Sequence, residues 1–437
     1  MEESTAARSV AFITLGCAKN EVDSRTMAAL ASQAGYGIAE DPARADAIIV
    51  NTCSFIQAAT EESIEAILDT AALEGVRSGR VPLIVAGCMP ARYGAELQPE
   101  LPEAAAFVPC SEEGSIGTLL DSLLGAASPE APSAAGIPSD ADPSAYVKIS
   151  DGCDRFCSYC TIPFIRGRYH SFPAEEIHRA VADLVAAGKR EIVLIAQDTG
   201  RWGTDLPEPS DLAVLVSSLA EAHPRIWFRL MYIQPEGITD PLIAAVASHD
   251  NICSYFDIPF QHCNGAILKA MNRSGDGPSF LQLAAKLRRA IPDVALRTTL
   301  ICGFPGESEE GFEELRTFVE ELEFDYVGIF PFSPEEGTRA FDLPGQLDEE
   351  TKLERAQQLR DLADTVSAAI ISRRIGREVP VLVCGCEEDG QRFGRTQAQA
   401  PEVDGVTYVD GGRPGEVLPC LITDTLLYEM EGEVHGG

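Results

Sequence analysis

Short apolar runs alternate with amphipathic stretches through the first 125 residues. SVAFITLG (9–16), AIIVNT (47–52) and PLIVAG (82–87) read as strands, and NEVDSRTMAALASQAG (20–35) and the region 56–72 as helices. Strand and helix taken in turn predict a parallel sheet. A Pro-, Ala- and Ser-rich stretch, 125–144, then marks a linker and a domain boundary. Beyond it, AYVKIS (145–150), EIVLIAQ (191–197), IWFRLMYI (226–233), SYFDIPF (254–260), ALRTTLIC (295–302) and DYVGIFPF (325–332) read as six more strands. Helical patterns separate them, for instance 173–188 and 309–322. That series predicts a partial (β/α)6 barrel whose chemistry lies at the carboxyl ends of its strands. A charged helix near 348–374 leads into short strands with Gly and Pro turns, a small β-barrel. The expected class is therefore α/β in three domains, a parallel α/β domain over 8–124, a barrel over 145–372 and a β-barrel over 373–437, with the linker 125–144 after the first.

Composition narrows the setting. The chain has 437 residues, 45% of them hydrophobic, with a mean hydropathy of −0.01. No apolar run approaches the roughly 18 residues that cross a bilayer, so no membrane association is expected. The first residues, MEESTAARSV, lack the basic and apolar regions of a secretory signal. A cytoplasmic location is expected, where thiols stay reduced. Thirteen cysteines, an odd number, then argue for metal binding or catalysis over disulfides. The formal charge of −34 repels phosphate backbones and attracts basic partners, besides keeping the protein soluble.

Three of the cysteines crowd into DGCDRFCSYCTIP (151–163): Cys153, Cys157 and Cys160, spaced C-x3-C-x2-C, with Phe156 and Tyr159 between them. Thiolates suit zinc or iron–sulfur clusters. Structural zinc wants four ligands, and His170 lies ten residues on, across Pro163 and Arg166. Three cysteines on a four-iron cube would leave one iron open to an outside ligand, as an enzyme needs when its cluster touches a substrate. A second triplet is dispersed: Cys17, Cys53 and Cys88 each close a predicted parallel strand. Carboxyl ends of neighbouring parallel strands share one edge of a sheet. Each could be a small buried hydrophobe, but three in equivalent places suggest a second cluster.

The C-x3-C-x2-C triplet after a first barrel strand, with Tyr159 ahead of its third cysteine, resembles the radical S-adenosylmethionine superfamily. The two triplets and the terminal β-barrel, taken together over about 9–430, resemble the methylthiotransferases, whose last domain is a TRAM domain. The resemblance implies two 4Fe-4S clusters, a radical-generating one on Cys153, Cys157 and Cys160 and an auxiliary one on Cys17, Cys53 and Cys88. It also implies S-adenosyl-L-methionine as methyl donor and radical source, a low-potential electron donor and a sulfur donor. GCAKNEVDSR (16–25), DIPFQHCNGAILKAMNR (257–273) and FSPEEGTRA (332–340) are similar to the branch that modifies the β-carbon of an aspartate in ribosomal protein S-twelve. The competing branch modifies a tRNA adenosine. Charge favours the first, because residues 377–437 hold twelve acidic and four basic residues, a net of −8. A barrel that grips RNA should be basic, so direct nucleic-acid binding is not expected; Glu387, Glu388 and Asp389 would meet a basic protein. An iron–sulfur electron or sulfur carrier without radical chemistry is the alternative of another class.

Other residues carry weaker signals. Tyr159, Gln197 and Gly303 are candidates for the S-adenosylmethionine pocket, Gln197 and Asp198 because they end a barrel strand, Gly303 because GFPGE (303–307) follows one. GFPGE is equally a tight strand–helix turn. No catalytic residue is singled out beyond the cluster ligands. Cys384 and Cys386, two apart on a strand, should face one side. These two, with Cys110, Cys253, Cys263, Cys302 and Cys420, read as incidental. His262 is either part of a substrate-side loop or a satisfied structural histidine.

Overall fold

The computed structural model describes residues 8–126 and 142–435. Two compact units make up the chain: Met1–Asp140 with Gly152–Asp154 and Cys160–Arg168, and Ala141–Asp151, Arg155–Tyr159 and Tyr169–Gly437.

The first unit is built on five parallel strands, β1 (Ser9–Thr14), β2 (Gly37–Ala39), β3 (Ala47–Thr52), β4 (Leu83–Gly87) and β5 (Ala104–Pro109), in the order β2-β1-β3-β4-β5. Successive side chains of a strand point to opposite faces, and here both faces are covered. Val10, Ile49, Ile84 and Ala86 pack on one side with Met27 and Ala31 of the helix Ala18–Gln33. Ala11, Ile48, Val50, Leu83 and Val85 pack on the other with Ile67 of the helix Gln57–Ala71. Burial on both faces explains why β3 and β4 read as unbroken apolar runs.

The second unit holds the expected six barrel strands: β6 (Ser144–Lys148), β9 (Glu191–Ile195), β10 (Trp227–Leu230), β11 (Tyr255–Asp257), β12 (Ala295–Cys302) and β13 (Tyr326–Pro331); the two-residue strands β7 (Ser150–Asp151) and β8 (His170–Ser171) pair between the first two. Parallel pairing gives β10-β9-β6 and β11-β12-β13. Backbone hydrogen bonds from Phe228 N to Asn251 O and from Cys253 N to Phe228 O, both 2.8 Å, join the two halves. Among the described residues β6 and β13 are not paired, so the barrel is open. The long helix Glu349–Ser372, capped by Asp348 accepting from Thr351 N at 2.9 Å, leads to a closed barrel. Its strands are β14 (Glu378–Cys386), β15 (Arg392–Thr396), β16 (Thr407–Val409), β17 (Val417–Leu426) and β18 (Glu429–Val434).

The small barrel is fastened to the amino ends of the larger one's strands. Arg229 and Glu191, neither exposed at all, pair at 2.7 Å. Arg229 also donates to Gln397 O at 2.7 Å, and Arg395 reaches Ser144, Asp142 and the second oxygen of Glu191. Tyr255 donates to Asp404 at 2.8 Å. Glu191 thus bridges Arg229 and Arg395 and joins the two barrels, so removing it would leave buried charge without its partner. One expectation fails here. A bulge between Val383 and Gly385 breaks the alternation of β14, so Cys384 is buried while Cys386 is exposed. The linker 125–144 falls mostly outside the described residues. Among the described residues no helix is long and apolar enough to cross a membrane.

Candidate functional site

In the first unit four cysteines occupy the carboxyl ends of four adjacent strands. Cys17 lies three residues past β1, and Cys53, Cys88 and Cys110 directly follow β3, β4 and β5. The pairings Thr14↔Asn51, Thr52↔Gly87 and Gly87↔Pro109 set them along one edge. The expected triplet is thus brought together, and Cys110, read as incidental, stands with it. The signal for Cys110 was the same one, a cysteine closing a strand, but AAAFVP is too rich in alanine to announce that strand.

The edge is tightly built. Gly16, at φ +93°, has no room for a side chain, since a Cβ there would come within 2.9 Å of Cys53 Sγ. Ser63 Oγ accepts from Cys53 N at 3.1 Å and donates to Cys53 O at 2.7 Å. Asn20 donates to Leu15 O and Thr52 O, both at 2.9 Å, tying β1 to β3. Arg166, six residues past Cys160, buries its guanidinium here. It pairs with Asp23 at 2.7 Å, donates to Asn20 Oδ1 at 2.7 Å and lies 3.6 Å from Cys88 Sγ.

This setting separates the thiols. Burial pushes Cys53 up to about 11, against a hydrogen bond from the Phe55 backbone. Cys88 is drawn down to about 6, first by the neighbouring Cys110 thiol, with Arg166 adding to the pull and burial opposing it. Cys110 is driven the other way by Cys88 and by burial. Among the described residues no three His, Cys, Asp or Glu side chains close around a single-ion site. A four-iron cube takes one thiolate per iron and holds its cysteines farther apart than one ion does. Three neighbouring thiols with a buried cation beside them fit such a group, whose charge hydrogen bonds to sulfur help to balance.

Of the C-x3-C-x2-C motif, Cys153 and Cys160 belong to the first unit, where Cys153 N donates to Gly167 O at 3.1 Å. Cys157 belongs to the second, at the carboxyl ends of the barrel strands. Its loop is bolted down by Ser158, which donates its N–H to Met271 O at 3.0 Å and accepts from Ala340 N at 2.6 Å. Arg273 lies 4.0 Å from Cys157 Sγ and donates to Pro259 O at 2.5 Å. Phe156, Tyr232, Gln261 and Asn272 all adopt positive φ in this region. Such strain in non-glycine residues gathers at functional sites. Asn272 holds Phe156 in place by donating to Arg155 O and Phe156 O, both at 3.0 Å.

Gln197 and Asp198 follow β9 as expected. Gln197 Oε1 and Asp198 Oδ1 are buried and make no hydrogen bond among the described residues. Buried acceptors of that kind are normally satisfied, and the hydroxyl or amino groups of a bound cofactor would satisfy them. The other oxygen of Asp198 accepts from Arg155 at 2.6 Å, yet burial still raises its pKa. Tyr159 packs partly buried against the barrel core. Gly303 has a packing reason of its own: at φ +73° its Cβ would lie 2.5 Å from Lys352 Cγ. Glu307 closes the GFPGE turn, accepting from Gly303 N at 2.9 Å and from Arg355 at 2.6 Å. It also binds His262 Nε2 at 3.1 Å, while His262 Nδ1 accepts from Cys263 N and Asn264 N. His262 is fully buried and satisfied, a structural residue.

Comparison with known proteins adds to this picture. Residues 9–109 match the model described as Uncharacterized protein family UPF0004, 147–319 the Radical SAM superfamily and 375–434 the TRAM domain. The protein of Syntrophus aciditrophicus (strain SB) named Ribosomal protein uS12 methylthiotransferase RimO is 43% identical over 446 residues, covering 98% of both chains. Its namesake in Geobacter sulfurreducens is 42% identical over 448 residues, covering 99% of both. Among solved structures, the radical S-adenosylmethionine methyltransferase TsrM from Kitasatospora setae aligns with a TM-score of 0.56 at 13% identity. The match covers 77% of this chain and 74% of that one. The cobalamin-dependent enzyme OxsB aligns at 0.51 and 11% identity, covering 82% and 56%. The last two are likenesses of fold.

Proposed function

The chain belongs to the RimO family of radical S-adenosylmethionine methylthiotransferases, and on that footing we propose that it replaces a hydrogen on the β-carbon of an aspartate in ribosomal protein S-twelve with a methylthio group. A 4Fe-4S cluster and S-adenosylmethionine follow from the superfamily. Cys153, Cys157 and Cys160 hold that cluster, and Cys17, Cys53 and Cys88 hold a second one. The bound groups supply the electron, the hydrogen-abstracting radical, the methyl group and the iron-held sulfur.

This chain's own residues do the rest. Arg273 and Arg166 set a guanidinium beside one thiolate of each triplet, Cys157 and Cys88. That offsets the negative charge of a thiolate-held cluster. Gln197 Oε1 and Asp198 Oδ1 offer acceptors at the carboxyl end of β9, and Arg155 fixes the orientation of Asp198. Tyr159 lines the same loop. Gly303, at positive φ against Lys352, shapes the turn beside β12 and is assigned with Tyr159 and Gln197 to the cofactor pocket. The domain limits follow as 8–124, 145–372 and 373–437. A low-potential electron donor and a sulfur donor are required partners, and the cytoplasm is the expected setting.

The observation that carries the reading is the row of cysteines along the edge of the first sheet. For the choice of substrate the support is the name borne by full-length relatives together with the acidity of the small barrel. Arg395 and Asp404 are both buried in the docking network, so their burial leaves the net charge of the barrel's remaining residues at −8. The test is a reaction of anaerobically reconstituted protein with S-adenosylmethionine, a strong reductant and sulfide. Ribosomal protein S-twelve should gain one methylthio group on an aspartate, and tRNA should stay unchanged. Modified tRNA adenosine with unmodified S-twelve would overturn the substrate; no 5′-deoxyadenosine at all would favour a carrier.

A further inference from the structure

Cys110 has no part in either ligand set, yet the sheet delivers it to Cys88. Gly87 and Pro109 are paired in parallel register, so Cys88 and Cys110 are each the first residue beyond neighbouring strands. Cys88 opens the helix Cys88–Tyr93 and Cys110 opens the 3-10 turn Cys110–Ser115, which anchors both backbones. Adjacent strands lie about 4.8 Å apart, within the Cα separation of about 4.4–6.8 Å that a disulfide spans. Cys110 is partly exposed, which gives a small oxidant access to a pair whose other member is buried.

We propose that Cys88 and Cys110 form a redox pair that closes to a disulfide whenever no cluster occupies Cys88, and that this disulfide blocks loading of the auxiliary site. The oxidant is a small disulfide such as oxidised glutathione. One protein thiolate attacks it, forming a mixed disulfide and releasing one small thiol. The second protein thiolate attacks that mixed disulfide and releases the other. Two thiol protons end on the two released thiols, and two electrons pass from the protein to the oxidant. Cys88 in a disulfide has no thiolate for iron. The pairing stands on the sheet alone, whereas the block on loading rests on the proposal that Cys88 is a cluster ligand. A thiol reductant reopens the site.

The test uses the full chain, freed of iron, incubated with oxidised glutathione, alkylated and digested without reduction. Wild-type protein should give a peptide linking Cys88 to Cys110. After oxidation it should then take up about half the iron of the reduced protein, one four-iron cluster in place of two. Cys110→Ser should give no such peptide and keep full iron uptake after the same treatment. Absence of the linked peptide from wild type overturns the pairing, as does equal loss of iron in Cys110→Ser. A linked peptide with undiminished iron uptake leaves the pair standing and removes Cys88 from the ligand set.

Discussion

Arg166→Met should destabilise the first unit by about 3–5 kcal/mol, the usual consequence of stripping one partner from a buried ion pair. The side chains of Arg166 and Asp23 are each 2% exposed and meet at 2.7 Å. At an effective dielectric constant of about 20 their attraction is ~6 kcal/mol, against several kcal/mol to desolvate each ion. The intact pair is therefore near balance, and the large effect comes from leaving the Asp23 carboxylate buried without its cation. Asn20 Oδ1 loses a donor in the same step. Adding Asp23→Asn to Arg166→Met should recover most of the loss, because no uncompensated charge is then left inside. Arg166→Lys keeps the charge but not the two-pronged geometry and should fall between. Hydrogen exchange on cluster-free protein, read over 18–33 and 47–52, measures the local opening free energy directly. A change under about 1 kcal/mol in Arg166→Met, or no recovery in the double variant, would refute a compensating role for the guanidinium.

Three further outcomes follow. Glu191→Gln leaves Arg229 and Arg395 facing each other without their shared carboxylate, so the small barrel should loosen by about 3–5 kcal/mol, seen as faster proteolysis within 377–435; an unchanged cleavage rate contradicts the docking network. Asp404 is pushed up from 3.8 to about 6 by burial, with Arg297 opposing. Its protonated form is favoured by folding, so its contribution is full below pH 4 and lost as pH rises through 6. Asp404→Asn should therefore gain in urea midpoint relative to wild type between pH 4 and pH 7, and a falling difference would reverse the sign. Glu387→Lys with Glu388→Lys should slow modification of S-twelve at limiting substrate and spare substrate-free cofactor cleavage, because exposed charge acts mainly on encounter; a faster tRNA reaction would contradict the assignment. Asp389 is left alone in that variant because it accepts from Gln391 N within the turn.

Much of the fold was legible because its sheets are buried on both faces. The apolar run Ala47–Thr52 is bounded in the structure where periodicity bounded it, and Ala295–Cys302 likewise. The edge strand Gly37–Ala39 was not legible, being only three residues with Ile38 between two weak β-formers. Cys17, Cys53 and Cys88 could be gathered from sequence because each ends a recognisable strand. Arg166 could not be joined to them, since its partner Asp23 is 143 residues away and no local pattern links the two. The bulge that turns Cys386 outward depends on pairing with β15, which the local sequence does not announce. Arg395 counted as a basic residue of the small barrel, yet in the folded chain it is buried against Glu191 and Asp142.

The central claim, two clusters on two cysteine triplets, is tested most directly by iron analysis of anaerobically reconstituted variants, with cofactor cleavage measured alongside. Wild-type protein should hold about eight irons, the content of two four-iron clusters. Replacing Cys153, Cys157 and Cys160 by Ala should leave about half and abolish formation of 5′-deoxyadenosine; replacing Cys17, Cys53 and Cys88 should also leave about half but spare that cleavage. Full iron content in either triple variant, or zinc in place of iron, would contradict the account.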